Sequence, residues 1–392
     1  MSQFHNVQAL LENDKLDGWL LWDFRRQNTL AAAFLGLGKD KLLSRRFFYW
    51  IPVQGEPIKI VHAIEQDVLA SLPGEVRTYR TWQEYEEALE KLLQGKKRIA
   101  MEYSPKNRNP YVSKVDGGTL ELVQSFGVKV ESSANLLQQK TSVLDEEQMK
   151  SHRFAAKVLD ETCDLAFREI ANNLGNITEW QVQQFILQEF AKRGCETSDP
   201  PICAVNQNSA NPHFSPDPQC KRAIQKGDFI LIDLWCKQTI YADICKVGVA
   251  DSSPTARQQE IFDIVKEAQD EALSLVQERF SKNEPVMGWE VDQKARDIIR
   301  RYGYGEYFIH RLGHNIGEND HGDGAHLDNF ETKDGRQLLP GTCFSIEPGI
   351  YLPNDFGIRL EIDVLVEPDG KIVVTGGKQD KITCLLTQYQ RK

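Results

Sequence analysis

The chain has 392 residues, with 47 Lys and Arg against 57 Asp and Glu for a formal net charge of −10. At roughly 100 to 200 residues per domain, two domains are expected, and the acidic balance without any basic run argues against nucleic acid as a partner. The amino terminus has no basic start followed by a long apolar stretch, and nowhere do about 18 uncharged apolar residues run together, so a cytoplasmic protein off the membrane is expected.

Up to about residue 140, helical and strand patterns alternate. A helix starts near Val7 to Leu11, and strands are predicted over 18–22, 46–53, 58–63 and 98–102. Trp82, Tyr85, Leu89, Leu92 and Leu93 recur at helical spacing and predict a helix over 81–93. This stretch holds His5 and His62 but no cluster of ligand types, which favours a structural or oligomerising unit over a separate active site. A boundary follows near Gln138 to Leu144. There Thr141 and Ser142 precede Asp145, Glu146 and Glu147, a cap followed by first-turn acids, and a long helix of about 144–171 opens the second domain.

That domain carries a weak internal duplication. Trp180-Gln181-Val182 precedes Gly194, and Trp289-Glu290-Val291 precedes Gly303, each glycine fourteen residues after its tryptophan. Each tryptophan opens an amphipathic helix that the glycine closes, and each of these helices follows a longer one, at about 144–171 and 254–280. Two related α/β halves with a cleft between them are expected. All eight cysteines (Cys163, Cys195, Cys203, Cys220, Cys236, Cys245, Cys343 and Cys384) lie past residue 160 without a CxxC pair. Reduced, largely buried thiols are therefore expected.

Residues 227–235 read as a buried strand ending in Asp233-Leu234-Trp235, and 238–244 as its return. A turn near Gln238 would set Asp233 and Asp243 directly opposite, on one face. Two carboxylates so placed repel unless a cation or proton lies between them. Further on, His310, His314 and His321 precede Glu347, which ends the apolar run Cys343-Phe344-Ser345-Ile346 before Pro348 stops it. In Ile358-Arg359-Leu360-Glu361-Ile362, read as one strand, Arg359 and Glu361 share a face. Nitrogen and carboxylate donors in this mixture suit a divalent cation such as Mn²⁺, Co²⁺ or Zn²⁺.

With these residues in hand, HRLGH, GTCFSIEPGIY and GIRLE make the chain resemble the pita-bread metallopeptidases, in the aminopeptidase P and prolidase branch. The similarity covers residues 140–392, and more loosely the N-terminal part through SRRFFYW and KRIAMEYSPKN. It implies an α/β (α+β) protein, with a creatinase/prolidase-type α/β domain over 1–140 followed by a pita-bread catalytic domain of two pseudo-twofold-related halves over 141–392. The family's ligand order falls on Asp233, Asp243, His314, Glu347 and Glu361, which would hold two divalent ions, Mn²⁺ first, with Co²⁺ or Zn²⁺ as alternatives. Its catalytic-pocket histidines fall on His213 and His321, its substrate contacts on His310 and Arg359, and Glu347 would also move the proton. The implied activity is hydrolysis of the bond before proline in peptides or dipeptides, by a homodimer. This chain departs from the family in spacing its two aspartates by ten residues instead of eleven, and in placing Gly322-Asp323-Gly324 after His321. Two other readings stand beside it: a creatinase-like C–N hydrolase or lyase, and a non-catalytic peptide- or protein-binding module.

Overall fold

The computed structural model describes residues 4–38 and 42–389, the side chain of His5 excepted. The chain divides into two compact units, Met1–Thr141 and Ser142–Lys392. The first has helices α1 (His5–Asn13), α2 (Thr29–Phe34), α3 (Trp82–Leu93), α4 (Gly117–Ser125) and α5 (Ala134–Thr141). Its strands are β1 (Gly18–Asp23), β2 (Phe47–Pro52), β3 (Ile58–His62), β4 (Glu75–Tyr79), β5 (Arg98–Met101) and β6 (Lys129–Ser132), in the sheet order β4-β3-β2-β1-β5-β6. The central strands β1, GWLLWD, and β2, FFYWIP, are buried throughout. Alternate side chains feed two separate cores, Trp19, Leu21 and Tyr49 in one and Leu20, Trp22, Phe48 and Trp50 in the other. A strand covered on both faces has no polar side to alternate with, which is why these run as unbroken apolar stretches.

Glu102 is an ionisable group sealed into this unit, at 0% exposure. The Glu102 carboxylate accepts hydrogen bonds from Trp19 Nε1 (2.6 Å), Asn28 Nδ2 (2.6 Å) and Ser133 Oγ (3.1 Å). Burial pushes its carboxyl up to about 7 in spite of those donors. A carboxyl raised from its unfolded value of 4.5 favours the folded state most fully at low pH, and that contribution is lost as pH rises through about 7. The loss is on the order of 3 kcal/mol. Urea denaturation of wild type and Glu102→Gln at pH 5 and pH 8 checks this: the fall in stability between the two pH values should be smaller in the variant.

The second unit is built from two helix pairs and two four-stranded sheets. Helices α6 (Glu146–Asn172) and α7 (Glu179–Lys192) precede β7 (Ile202–Val205), β8 (Phe229–Lys237) and β9 (Tyr241–Val249). Helices α8 (Ala256–Ser281) and α9 (Gly288–Arg301) precede β10 (Asn315–Ile316), β11 (Cys343–Ile346), β12 (Gly349–Tyr351), β13 (Gly357–Arg359), β14 (Ile362–Val366) and β15 (Ile372–Gly376), followed by β16 (Thr383–Cys384) and α10 (Leu385–Gln388). The sheets run β16-β9-β8-β7 and β10-β11-β14-β15, with β12-β13 a separate hairpin. Reciprocal capping boxes, Asp145 with Gln148, Thr178 with Gln181 and Thr255 with Gln258, start α6, α7 and α8. Gly194 and Gly303 follow α7 and α9 at φ of +69° and +86°, a conformation that favours glycine.

The β8–β9 hairpin differs from the expected register. Lys237 pairs with Tyr241 around a three-residue loop, so Asp233 lies opposite Cys245 and Trp235 opposite Asp243. The turn is centred one residue later than expected, which displaces each partner by two and leaves the two aspartates diagonal on the same face. The single strand expected over 358–362 is two strands in two sheets, β13 paired with β12 and β14 with β11 and β15. At the break, Leu360 N–H donates to Pro348 O (3.3 Å) and Glu361 N–H to Cys245 O (3.1 Å). The buried Gln269 amide of α8 donates to the carbonyls of Leu360 (2.7 Å) and Ile346 (3.2 Å). Polar backbone freed by the break is thus satisfied without a ladder.

Among the described residues no helix is long and apolar enough to cross a membrane. All eight cysteines are free; five of those in strands or helices and Cys195 are buried, while Cys220 is exposed and Cys384 half-buried.

Candidate metal centre

Five strand ends and crossings converge in the second unit. Asp233 points from β8, Asp243 from β9, His314 immediately precedes β10, Glu347 follows β11, and Glu361 sits in the break between β13 and β14. His314 Nε2 lies 3.6 Å from Asp243 Oδ2 and 3.6 Å from Glu347 Oε1. Ligand atoms of Asp243, His314 and Glu361 all fall within 4.8 Å of one another. Asp233 is held at the side by Arg359, whose Nη2 donates to Asp233 Oδ2.

The scaffold behind these groups is specific. His314 Nδ1 faces the carbonyl of Asn315 at 3.3 Å; donating there, the imidazole presents its Nε2 lone pair to the carboxylates. Ser345 Oγ accepts from His314 N (3.1 Å), and Glu347 N–H donates to Leu312 O (2.7 Å), which ties the HRLGH segment to β11. Gly313 allows that approach, since a Cβ there would come within 2.1 Å of Ser345 O. From α9, Asp292 and Arg296 form a buried pair. Arg296 donates to Asp292 through Nε (2.8 Å) and Nη2 (2.9 Å), and to the carbonyls of Phe308 (3.0 Å) and His310 (2.6 Å). Asp292 accepts the Leu312 N–H (2.8 Å).

Electrostatically the centre is short of positive charge. Burial, then Glu361, Asp320, Asp233 and Asp363, holds the Asp243 carboxyl well above the usual range. Burial, then Glu347 and Asp233, does the same to Glu361, and burial lifts Glu347 to about 8. Burial raises Asp233 too, against the opposing pull of Arg359. For His314, burial and then its neighbours His321 and Arg311 push the imidazole far down, so it is neutral. Asp243 Oδ1 and Glu361 Oε1 are buried and have no hydrogen-bond partner among the described residues. Clustered carboxylates with unpartnered oxygens around a neutral imidazole lone pair fit divalent cations, which would supply the charge and the coordination that the protein leaves unmet.

The remaining expected residues divide. His321 stands beside His314, ring centroids 4.2 Å apart, with its side chain 62% exposed and Nδ1 3.2 Å from Arg311 Nη2. His213 lies on an exposed loop, its N–H bonded to Asn211 Oδ1 (3.1 Å), near enough for its charge to bear on Asp233. Arg359 and His310 meet through Tyr351: Arg359 Nη1 donates to the Tyr351 hydroxyl (2.9 Å), which faces His310 Nε2 at 2.8 Å. His310 Nδ1 faces the Arg311 carbonyl at 2.7 Å. His310 is thereby placed behind Tyr351, a residue that sequence reasoning did not single out.

Two further acids stand at the centre. Asp363 is fully buried and accepts the Asp243 N–H (2.9 Å). Asp320 was not anticipated at all: its carboxylate lies within 4.8 Å of the ligand atoms of His314 and His321. Its only signal in the sequence is an acid directly before His321. The altered loop after His321 has a packing reason. Cβ atoms at Gly322 and Gly324 would come 2.4 Å and 2.6 Å from the Asn315 side chain, and that side chain accepts the Gly324 N–H (2.9 Å) and donates to Cys343 O (2.8 Å).

The family model described as metallopeptidase family M24 matches residues 150–368. An Xaa-Pro dipeptidase from Lactobacillus helveticus is 38% identical over 169 residues, an alignment spanning 43% of this chain and 42% of that protein. An uncharacterized peptidase from Staphylococcus haemolyticus is 28% identical over 340 residues, 84% of this chain and 91% of the relative. Among solved structures, the X-Pro aminopeptidase of Thermotoga maritima superposes with a TM-score of 0.56 at 24% identity, covering 94% of this chain and 98% of the other. Dipeptidase PepE of Mycobacterium ulcerans does so with a TM-score of 0.63 at 21% identity, covering 96% and 95%. At these identities the structural likeness shows a shared fold.

Proposed function

The chain belongs to metallopeptidase family M24, and from that premise we propose that it is an exopeptidase cleaving the bond between an N-terminal residue and a following proline. Asp233, Asp243, His314, Glu347 and Glu361 would hold two divalent cations, Mn²⁺ first, with Co²⁺ or Zn²⁺ as alternatives. The observation that carries this reading is the set of buried, unpartnered carboxylate oxygens on Asp243 and Glu361 around the His314 imidazole. We assign catalysis to residues 141–392 and a supporting role to residues 1–140, in a cytoplasmic homodimer acting on proline-containing peptides or dipeptides.

When bound, such a pair of cations lowers the pKa of water enough for it to act as nucleophile near neutral pH. Glu347, at the end of β11, takes the proton from the attacking water and delivers it to the proline nitrogen as the C–N bond breaks. A prolyl peptide bond is a tertiary amide without N–H, so the enzyme cannot recognise it through a hydrogen bond from that nitrogen, and, as in any amide hydrolysis, the nitrogen must gain a proton to leave. His321 and His213 donate to the carbonyl oxygen as negative charge develops there and orient the proline ring. Arg359 keeps the Asp233 carboxylate in place through its guanidinium, and Tyr351 with His310 holds Arg359 in turn.

Two measurements test the reading. Assay of the Mn²⁺- or Co²⁺-loaded protein on Xaa-Pro, Xaa-Pro-Yaa and Xaa-Ala peptides should show turnover only where proline follows the first residue. Titration of metal into the apo-protein should saturate at about two equivalents, and Asp243→Ala should lose bound metal and activity together. Saturation at one equivalent with full activity would refute the two-ion assignment.

A further inference from the structure

Arg311 lies between His310 and the proposed ligand His314 and has no part in the chemistry proposed above. It is 7% exposed, and its guanidinium reaches His321, with Nη2 3.2 Å from His321 Nδ1. The backbone at the root of that side chain is fixed on both sides. The Arg311 N–H donates to Glu331 Oε1 (3.1 Å), and Glu331 lies in a turn whose N–H groups at Phe330, Glu331 and Thr332 all donate to the fully buried Asp328 carboxylate. On the other side Asp292 holds the Leu312 N–H and Arg296 the His310 carbonyl. A long side chain that starts from an anchored backbone can hold its contact in one geometry.

The contact has a chemical consequence. A guanidinium has N–H groups but no lone pair to offer, and it stays protonated at any pH in reach of a folded protein. In this pair the histidine nitrogen must therefore accept. Nδ1 carries the lone pair, and the single proton of the neutral ring is then on Nε2. At that end of the ring stands Asp320 Oδ2, 3.7 Å from His321 Nε2. That is too far for a hydrogen bond, yet an acceptor oxygen there favours a facing N–H over a facing lone pair. The other tautomer would aim an N–H at the guanidinium and a lone pair at the carboxyl oxygen. With 62% of its side chain exposed, His321 is held loosely by its packing beside His314. A flip of the ring would exchange the two nitrogens, and the Arg311 contact opposes it.

We propose that Arg311 is a positioning residue for the reaction: it holds His321 with its proton on Nε2, so that the ring meets the scissile carbonyl as a hydrogen-bond donor. This rests on the Xaa-Pro reading given above and deepens it, by naming what sets one of its two donor histidines. The carbonyl oxygen gains negative charge in the transition state, where an N–H stabilises it and a lone pair in the same place would repel it. An acid at Nδ1 would have fixed the opposite tautomer and made the ring a base; an arginine there makes it a donor.

The test reads first the tautomer and then its effect. Two-bond proton–nitrogen correlation spectra of the Zn²⁺-loaded full-length protein, labelled with ¹⁵N-histidine and assigned with His321→Ala, should show an unprotonated Nδ1 and a protonated Nε2 at His321. In Arg311→Met the same ring should become a mixture of both tautomers, with metal content equal to wild type. On Xaa-Pro dipeptides Arg311→Met should lower kcat by about 10- to 10²-fold with a smaller change in KM. Arg311→Lys, which also offers only N–H groups, should regain part of that loss. In a His321→Ala background Arg311→Met should change kcat by less than about twofold, because its effect passes through the ring. A wild-type His321 carrying its proton on Nδ1 would overturn the proposal, as would a tautomer that Arg311→Met leaves unchanged. An equal fall in kcat with and without His321 would replace it with a direct action of Arg311 on Glu347 or on the substrate. Should Arg311→Met fail to fold, the wild-type spectrum and Arg311→Lys still decide. Failure to cleave any Xaa-Pro peptide would instead count against the exopeptidase reading, while the spectra would still decide what Arg311 does to His321.

Discussion

Glu347→Gln should lower kcat on proline dipeptides by about 10² to 10⁴, the range expected when a positioned general acid–base group is removed. Glutamine keeps a carbonyl oxygen where the carboxylate stood but cannot carry a proton from water to the proline nitrogen. KM should change much less than kcat, because the lost contribution is made in the transition state. Steady-state kinetics on a dipeptide series, with metal content measured on the same preparation, checks this. The Leu312 carbonyl accepts from the Glu347 N–H and not from its side chain, so the variant should keep the β11 end in place. A variant with wild-type kcat would remove Glu347 from proton transfer.

Arg296→Met should destabilise the protein by about 3 to 5 kcal/mol, because it strands the Asp292 carboxylate in the interior. Asp292 and Arg296 are nearly inaccessible, at 0% and 2% exposure, and the guanidinium lies between the Phe308 and Phe330 rings at 4.1 Å and 4.3 Å. The same guanidinium holds the carbonyls of Phe308 and His310, so the segment leading to His314 should loosen and metal affinity should fall along with stability. Urea denaturation and metal titration of the same variant measure both. The double variant Asp292→Leu, Arg296→Met should recover much of the stability, since no unpaired charge is then buried. It should recover less of the metal affinity, because the two carbonyls remain without their donor.

The limits of sequence reading are visible at particular residues. Chemical type drew attention to two aspartates in an apolar hairpin and to three histidines and two glutamates further on, and the family resemblance picked the five proposed ligands from among them. The start of α6 was legible from the acids that open it, but its cap is Asp145 and not Thr141 or Ser142, since Thr141 ends α5; Thr178, which caps α7, was not singled out. In the first unit, β1, β2, β3, β5 and α3 were legible from apolar content and period. The edge strand β4, EVRTY, is largely exposed and offered no such pattern.

What the amino-acid sequence determined by itself was therefore what depends on neighbours within a turn or two: residue chemistry, helix starts, apolar runs and the order of the donors along the chain. Tertiary structure alone decided the rest. The hairpin register moved by two partners because a turn centre is set by packing as well as by its own residues. The strand over 358–362 broke because Gln269, some ninety residues earlier, satisfies the carbonyls exposed at the break. Asp320 entered the centre because Asn315 clamps a glycine-flanked loop against β11. Each of these is a contact between residues far apart in sequence, whose free energy exists only once both partners are in place, and no local pattern in the chain announces it.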